Sequence, residues 1–219
     1  MIDSELIEIF KARENIYSFL SRVYQSEVSS EFLRILLVGV VDHEDAVDGY
    51  TLMQEFGNTV RAADPQDLES QLATEYAHLF FNAGDEPHVY PYESVYTSAD
   101  HLLMQEARDK VVEAYRSEGL NRAADFKKPE DHIAVELQFM AHLCRMAAQR
   151  LEAGERTKAR ALTAKQRDFL ESHLLNWIPR FCADLEKAAW SDFYRATAQI
   201  TRHLLSVEVD VLDEIDQGI

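Results

Sequence analysis

Apolar side chains recur every three to four residues over residues 4–25, at Leu6, Ile9 and Phe10, Ile16 and Tyr17, Leu20 and Tyr24. That is the spacing of one helix face, with a charged interruption at Arg13. Ser30 is placed to cap a second helix reaching about Val41, and His43–Gly49 reads as a connector into a third over about 50–63. Asp64-Pro65-Gln66-Asp67 is a start signal: an N-capping acid, a proline at the first position and a second acid in the first turn. The helix it opens runs to about Phe81.

The pattern then breaks. Residues 82–97, NAGDEPHVYPYESVYT, hold two of the five prolines, and Tyr90, Tyr92, Val95 and Tyr96 would be costly to leave in water, so an ordered loop is expected. Thr97-x-x-Asp100 resembles a capping box, with a helix following to about Ser117 and Gly119 as its stop. Residues 119–128 are a hinge candidate, and Lys128-Pro129-Glu130-Asp131 opens the next helix, which Gly154 ends. Thr163-x-x-Gln166 is a further capping box, for a helix to about Trp177; Pro179 begins or kinks the one after, and Phe193–Leu205 is periodic again. The tail from Glu208 is acidic, without Lys or Arg, and reads as loop or frayed helix. The expectation is an all-α chain of nine or ten helices in one domain. Its N-terminal part is 1–118, its hinge 119–128, its C-terminal part 129–206 and its acidic tail 207–219.

Composition agrees. Seven Gly and five Pro in 219 residues are about half of average usage, which suits long helices and excludes a β-sandwich or a disordered linker. The 22 Lys and Arg against 39 Asp and Glu leave a net charge of −17. Such a chain makes a poor general ligand for nucleic acid or anionic lipid and favours cationic or neutral partners. The two cysteines, Cys144 and Cys182, lie in apolar helical patterns with no metal-binding spacing, as buried reduced thiols do. The N-terminus lacks the basic region of a signal peptide, and the longest apolar run, Ile35–Val41, is too short to span a bilayer, so the cytoplasm is the expected location.

Two stretches carry candidate chemistry. Glu75-x-x-His78 and the i, i+4 pair His132 and Glu136 are of metal-ligating types. Only one Glu-x-x-His occurs, and the bland alternative is a polar helix face. Asp131 is expected in the first turn of its helix, complementing the dipole. His132 and Glu136 flank the core stripe of Ile133, Leu137, Met140 and Cys144, as a surface pair or the lip of a groove. Neither GxSxG, GxGxxG nor a Walker A sequence occurs. Aromatic and proline surfaces beside carboxylates suit a peptide with apolar and Arg or Lys residues, the alternative being a loop that merely covers a core.

YAHLFFNAG with PYESVY, then PEDHIAVELQFMAHL (129–143), FLESHLLNWIPRF (169–181) and DFYRATAQITRHLL (192–205), resemble in order the motifs of the TorD/DmsD/NarJ redox-enzyme maturation chaperones. The resemblance runs from about residue 5 to 206 and implies an all-helical fold and no enzymatic activity. It implies a cytoplasmic chaperone of anaerobic respiration, binding the twin-arginine leader or the apo form of a molybdenum-cofactor oxidoreductase. The chaperone assists cofactor insertion and delays export until the client has folded. The peptide-binding region it implies comprises Leu79, Phe80, Pro87, Pro91, Tyr92, Glu93, Ser94, Asp131, His132 and Glu136. Some members carry Trp where this chain has Tyr92. No resident cofactor is implied beyond the weak guanine-nucleotide binding of some members, and exchange of halves at 119–128 would make a swapped dimer. The competing readings are a metal-dependent enzyme using Glu75, His78, His132 and Glu136, and a helical adaptor that binds another basic peptide through its acidic tail.

Overall fold

A computed structural model describes residues 2–39, 48–62, 64–81, 88–121 and 127–219. Among these the chain forms ten α-helices and no strand: α1 Asp3–Gln25, α2 Ser30–Gly39, α3 Asp48–Ala62, α4 Pro65–Phe81, α5 Glu93–Thr97, α6 Glu106–Ser117, α7 Ile133–Glu152, α8 Arg156–Phe169, α9 Leu175–Ala188 and α10 Asp192–Gly218. A π-helical turn, Leu170–Leu174, joins α8 to α9. Residues 43–47 of the connector and 122–126 of the hinge lie outside the described residues.

The helices group into two compact units. The first comprises residues 1–25, 92–178 and 205–219. Here α1 packs along α7 and α7 against α8. Leu6, Phe10, Tyr17 and Leu20 bury the predicted face of α1, and Ile133, Leu137, Met140 and Cys144 that of α7. Phe139 meets the rings of Tyr115 and Phe169 at 4.9 and 4.8 Å. The second unit comprises 26–91 and 179–204. Its core is aromatic: Tyr76 lies 4.8 Å from Phe80, and Phe56 5.3 Å from Phe193. Gly49 lets α3 close onto α10, since a Cβ there would stand 2.8 Å from that of Gln199.

Several helix ends differ from the pattern-based expectation. The cap of α2 is Ser29, whose hydroxyl accepts from Phe32 N at 3.2 Å, while Ser30 N donates to Glu69 at 2.9 Å. Asp64 does cap α4, through Gln66 N at 2.8 Å. Thr97 opens nothing; it closes α5, its hydroxyl bonded to Glu93 O, and α6 starts at Glu106. Thr163 and Gln166 lie inside α8, both buried, with the Thr163 hydroxyl returned to Ala159 O. The expected stops hold: Gly119 and Gly154 follow α6 and α7 with φ of +73°, a conformation glycine adopts without strain.

The tail is neither loop nor frayed end. It continues α10 to Gly218, with Leu205, Glu208, Leu212 and Ile215 buried along one stripe. Glu208 is the position a hydropathy pattern counts as outward, and that hides the stripe. It meets Arg13, the charge that interrupts α1: Arg13 Nη2 donates to Glu208 Oε2 at 2.6 Å, Tyr17 donates to the same oxygen at 2.8 Å, and Arg13 Nη1 donates to Gln166 at 2.6 Å.

Candidate functional site

In the first unit, α5 and the start of α7 bring six of the expected residues together. Tyr92 and His132 pair in an isolated antiparallel bridge, their rings edge-on at 5.0 Å. Beyond the bridge Glu93 N donates to Asp131 O at 3.0 Å and Ser94 N to Asp131 Oδ2 at 2.9 Å. Asp131 thus caps α5. It does not sit in the first turn of α7, as its spacing from Pro129 suggests, because α7 begins two residues later at Ile133. The cap of α7 is His132, whose Nδ1 accepts from Ala134 N at 3.1 Å.

His132, Glu136, Asp131 and Ser94 are fully buried and Glu93 nearly so, whereas Tyr92 is half-buried. His132 and Glu136 are therefore neither a surface pair nor the lip of a groove. Trp177 Nε1 donates to Glu136 at 2.9 Å, and His173 Nδ1 lies 3.0 Å from Glu93. Three carboxyl groups share this interior. Burial pushes Glu136 well above the usual carboxylate range; the charge of Glu93 adds to this, and the Trp177 bond works against it. Burial also raises Asp131, with the Ser94 hydrogen bonds opposing. His132 is held well below its ordinary value, first by burial and then by Lys128, whose Nζ is 3.3 Å from its Nε2. Such groups are neutral or tied to protein donors. The bonds from Glu93 N and Ser94 N to Asp131 tie the start of α5 to the residues before α7.

His173 and Trp177 were not among the expected site residues. Their signal is the His-Leu-x-x-Trp spacing at 173–177, and the π turn carries His173 to Glu93.

The remaining expected residues fall in the second unit. Leu79 is buried, and its carbonyl accepts from Val89 N at 2.9 Å, which ties the end of the central loop to α4. Phe80 is half-buried between Tyr76 and Phe181. Pro91 is buried, and Pro87 lies outside the described residues. Glu75 accepts from the backbone N–H groups of Trp190 and Ser191 at the entrance to α10, and His78 stacks on Trp190. That occupies the one Glu-x-x-His in the chain. Among the described residues no group of three His, Cys, Asp or Glu is placed to hold a metal ion, and no helix is long and apolar enough to cross a membrane.

Comparison with known proteins bears on this arrangement. The family model described as nitrate reductase delta subunit matches residues 45–183. A chaperone protein TorD of Vibrio cholerae is 29% identical over 97% of both chains, and one of Aliivibrio fischeri is 27% identical over 95% of this chain and 98% of that one. A solved structure of a candidate redox-enzyme maturation protein from Archaeoglobus fulgidus, 20% identical, has the same fold over 89% of this chain and 93% of its own, with a TM-score of 0.50. The chain belongs to the nitrate reductase delta subunit family, and it is a TorD-type chaperone of redox-enzyme maturation rather than an enzyme.

Proposed function

We propose that this chaperone works in the cytoplasm on the catalytic subunit of a molybdenum-cofactor oxidoreductase. It binds the twin-arginine leader, keeps the apo subunit open for cofactor insertion and delays its export until folding is complete. The observation that carries this reading is the near full-length relationship to TorD chaperones. The charge of −17 favours a leader whose arginines are cationic, and long-range attraction speeds the encounter more than it tightens the complex. The contact residues we assign are the accessible Tyr92 in the first unit and Phe80 in the second; Pro87 and Pro91 belong to the same assignment by their place in the sequence motif. In the first unit Glu93, Ser94, Asp131, His132 and Glu136 are buried and would act by positioning Tyr92, and in the second the buried Leu79 would do so for Phe80.

The test is calorimetric titration of the full chain with twin-arginine leader peptides from the molybdoenzymes of the same organism, each beside its double-lysine form. Binding of a flexible peptide that must be released fits an affinity near micromolar, about −8 kcal/mol. Weakening by Arg→Lys in one leader identifies the client. Absence of binding to every leader removes the leader from the reading and moves the contact to the body of the apoenzyme.

A further inference from the structure

The chain has two tryptophans, and only one meets water: Trp177 is fully buried, while Trp190 is 52% exposed. The backbone of Trp190 is nevertheless fixed from both sides. Glu75 accepts from its N–H at 2.5 Å and from Ser191 N at 2.9 Å. Arg195 donates to Trp190 O at 2.7 Å and to Ala189 O at 3.2 Å, and its remaining nitrogen reaches Asp192 at 2.8 Å. One face of the indole stacks on His78, with centroids 4.4 Å apart at 27°. Exposure is thereby concentrated on the other face. His78 is itself 4% exposed, and its Nε2 has no hydrogen-bond partner among the described residues. Three residues further along α4, on the same side of the helix, Phe81 is 57% exposed. A large aromatic held in one position and left in water has the character of a binding anchor, because little ordering cost remains.

The charge of this unit selects the occupant. Residues 26–91 and 179–204 carry 16 Asp and Glu against six Lys and Arg, so 6 − 16 gives −10 of the chain's −17. Of the six cations, Lys187, Arg195 and Arg202 are already paired with Asp184, Asp192 and Glu186. A second copy of the chain would bring the same negative charge against this face. A guanidinium is attracted both by the acidic field and by the electron-rich face of the indole. We propose that Trp190, backed by His78, is the seat of an arginine side chain from the partner's basic segment, with Phe81 taking an apolar neighbour of that arginine. This contact rests on the reading that the partner offers a twin-arginine leader.

The probes are the same leader peptides, titrated into the full chain and into W190F, W190A and F81S, with acrylamide quenching of tryptophan fluorescence as a second readout. W190F keeps an aromatic ring on His78 and guards against misfolding in W190A. Binding should weaken about tenfold in W190A and about threefold in W190F. Saturating peptide should shield the wild-type chain from acrylamide and leave W190F, which retains only buried Trp177, unchanged. Wild-type affinity in both Trp190 variants, or quenching that peptide does not alter, overturns the contact while leaving the leader reading intact. A wild-type chain that binds none of the leaders overturns the leader reading and this contact with it.

Discussion

Arg13 stands on the apolar face of α1, where a charge without a partner would be costly. Its guanidinium reaches Glu208 through Nε and Nη2, and Gln166 through Nη1, all inside the first unit. Removing one partner leaves the other buried and unpaired, so Glu208→Ala should cost about 3–5 kcal/mol. For a chain of this size that lowers the melting temperature by about 10 °C in a thermal scan. Replacing Arg13 and Glu208 together by Met and Leu should recover most of the loss. Glu136 gives a pH signature. Its folded-state proton affinity is raised, so the native chain keeps a proton that the unfolded chain sheds above the ordinary carboxylate range. Its contribution is full at acid pH and declines as pH rises. Glu136→Gln keeps an acceptor for Trp177 and removes that decline; denaturant titrations should show it gaining on wild type from pH 5 to 8 and little different near pH 4. His132 acts in the opposite sense. Held neutral in the fold, it costs stability as pH falls below the ordinary histidine value, where the unfolded chain takes up the proton.

At the scale of elements, α5 has five residues and lacks a capping side chain of its own at Tyr92. Asp131 supplies the acceptor from the other end of the bridge, through Ser94 N. If its task is to place Tyr92 rather than to meet the client, Asp131→Asn, which keeps an oxygen acceptor, should bind leader peptide nearly as wild type. Asp131→Ala should bind several-fold more weakly and melt lower, with a cost of about 1–2 kcal/mol typical of a lost cap. Equal weakening in both variants would show that the charge itself makes the contact. The C-terminal helix makes the complementary point. Glu208, Leu212 and Ile215 are buried in the first unit, so deleting residues 207–219 should unfold that unit, seen as a fall in helical circular dichroism. An adaptor with a free acidic arm would instead keep its fold and lose its ligand.

For the molecule as a whole, charge is the property that reaches furthest. A net −17 attracts a cationic partner before contact, and salt screens this over about 10 Å at 0.1 M. Stopped-flow association with a basic leader should slow by about an order of magnitude between about 0.05 and 0.5 M salt, while dissociation changes little. A dissociation rate that carried most of the salt effect would place desolvated ion pairs at the centre of the interface instead.

The helical fold was legible because its cause is local. An apolar residue every third or fourth position defines a face, and Pro65, Gly119 and Gly154 punctuate the chain wherever it lies in space. The buried polar residues were not legible in the same way. Glu208, Thr163 and Gln166 read as surface, tail or capping residues, because hydropathy assigns a polar side chain outward unless a partner is known. For Glu208 and Gln166 the partner is Arg13, from a distant part of the chain, while Thr163 returns its hydroxyl to Ala159 O in its own helix. The site divides along the same line. The resemblance grouped Tyr92, Asp131, His132 and Glu136 within one implied peptide-binding region, and spacing alone gave only the i, i+4 pair of His132 and Glu136. Only the packing of α5 against the start of α7 made Asp131 a cap and put His132 and Glu136 out of reach of water. Periodicity is written in neighbouring residues, whereas burial of a charge is decided by whatever tertiary structure brings against it.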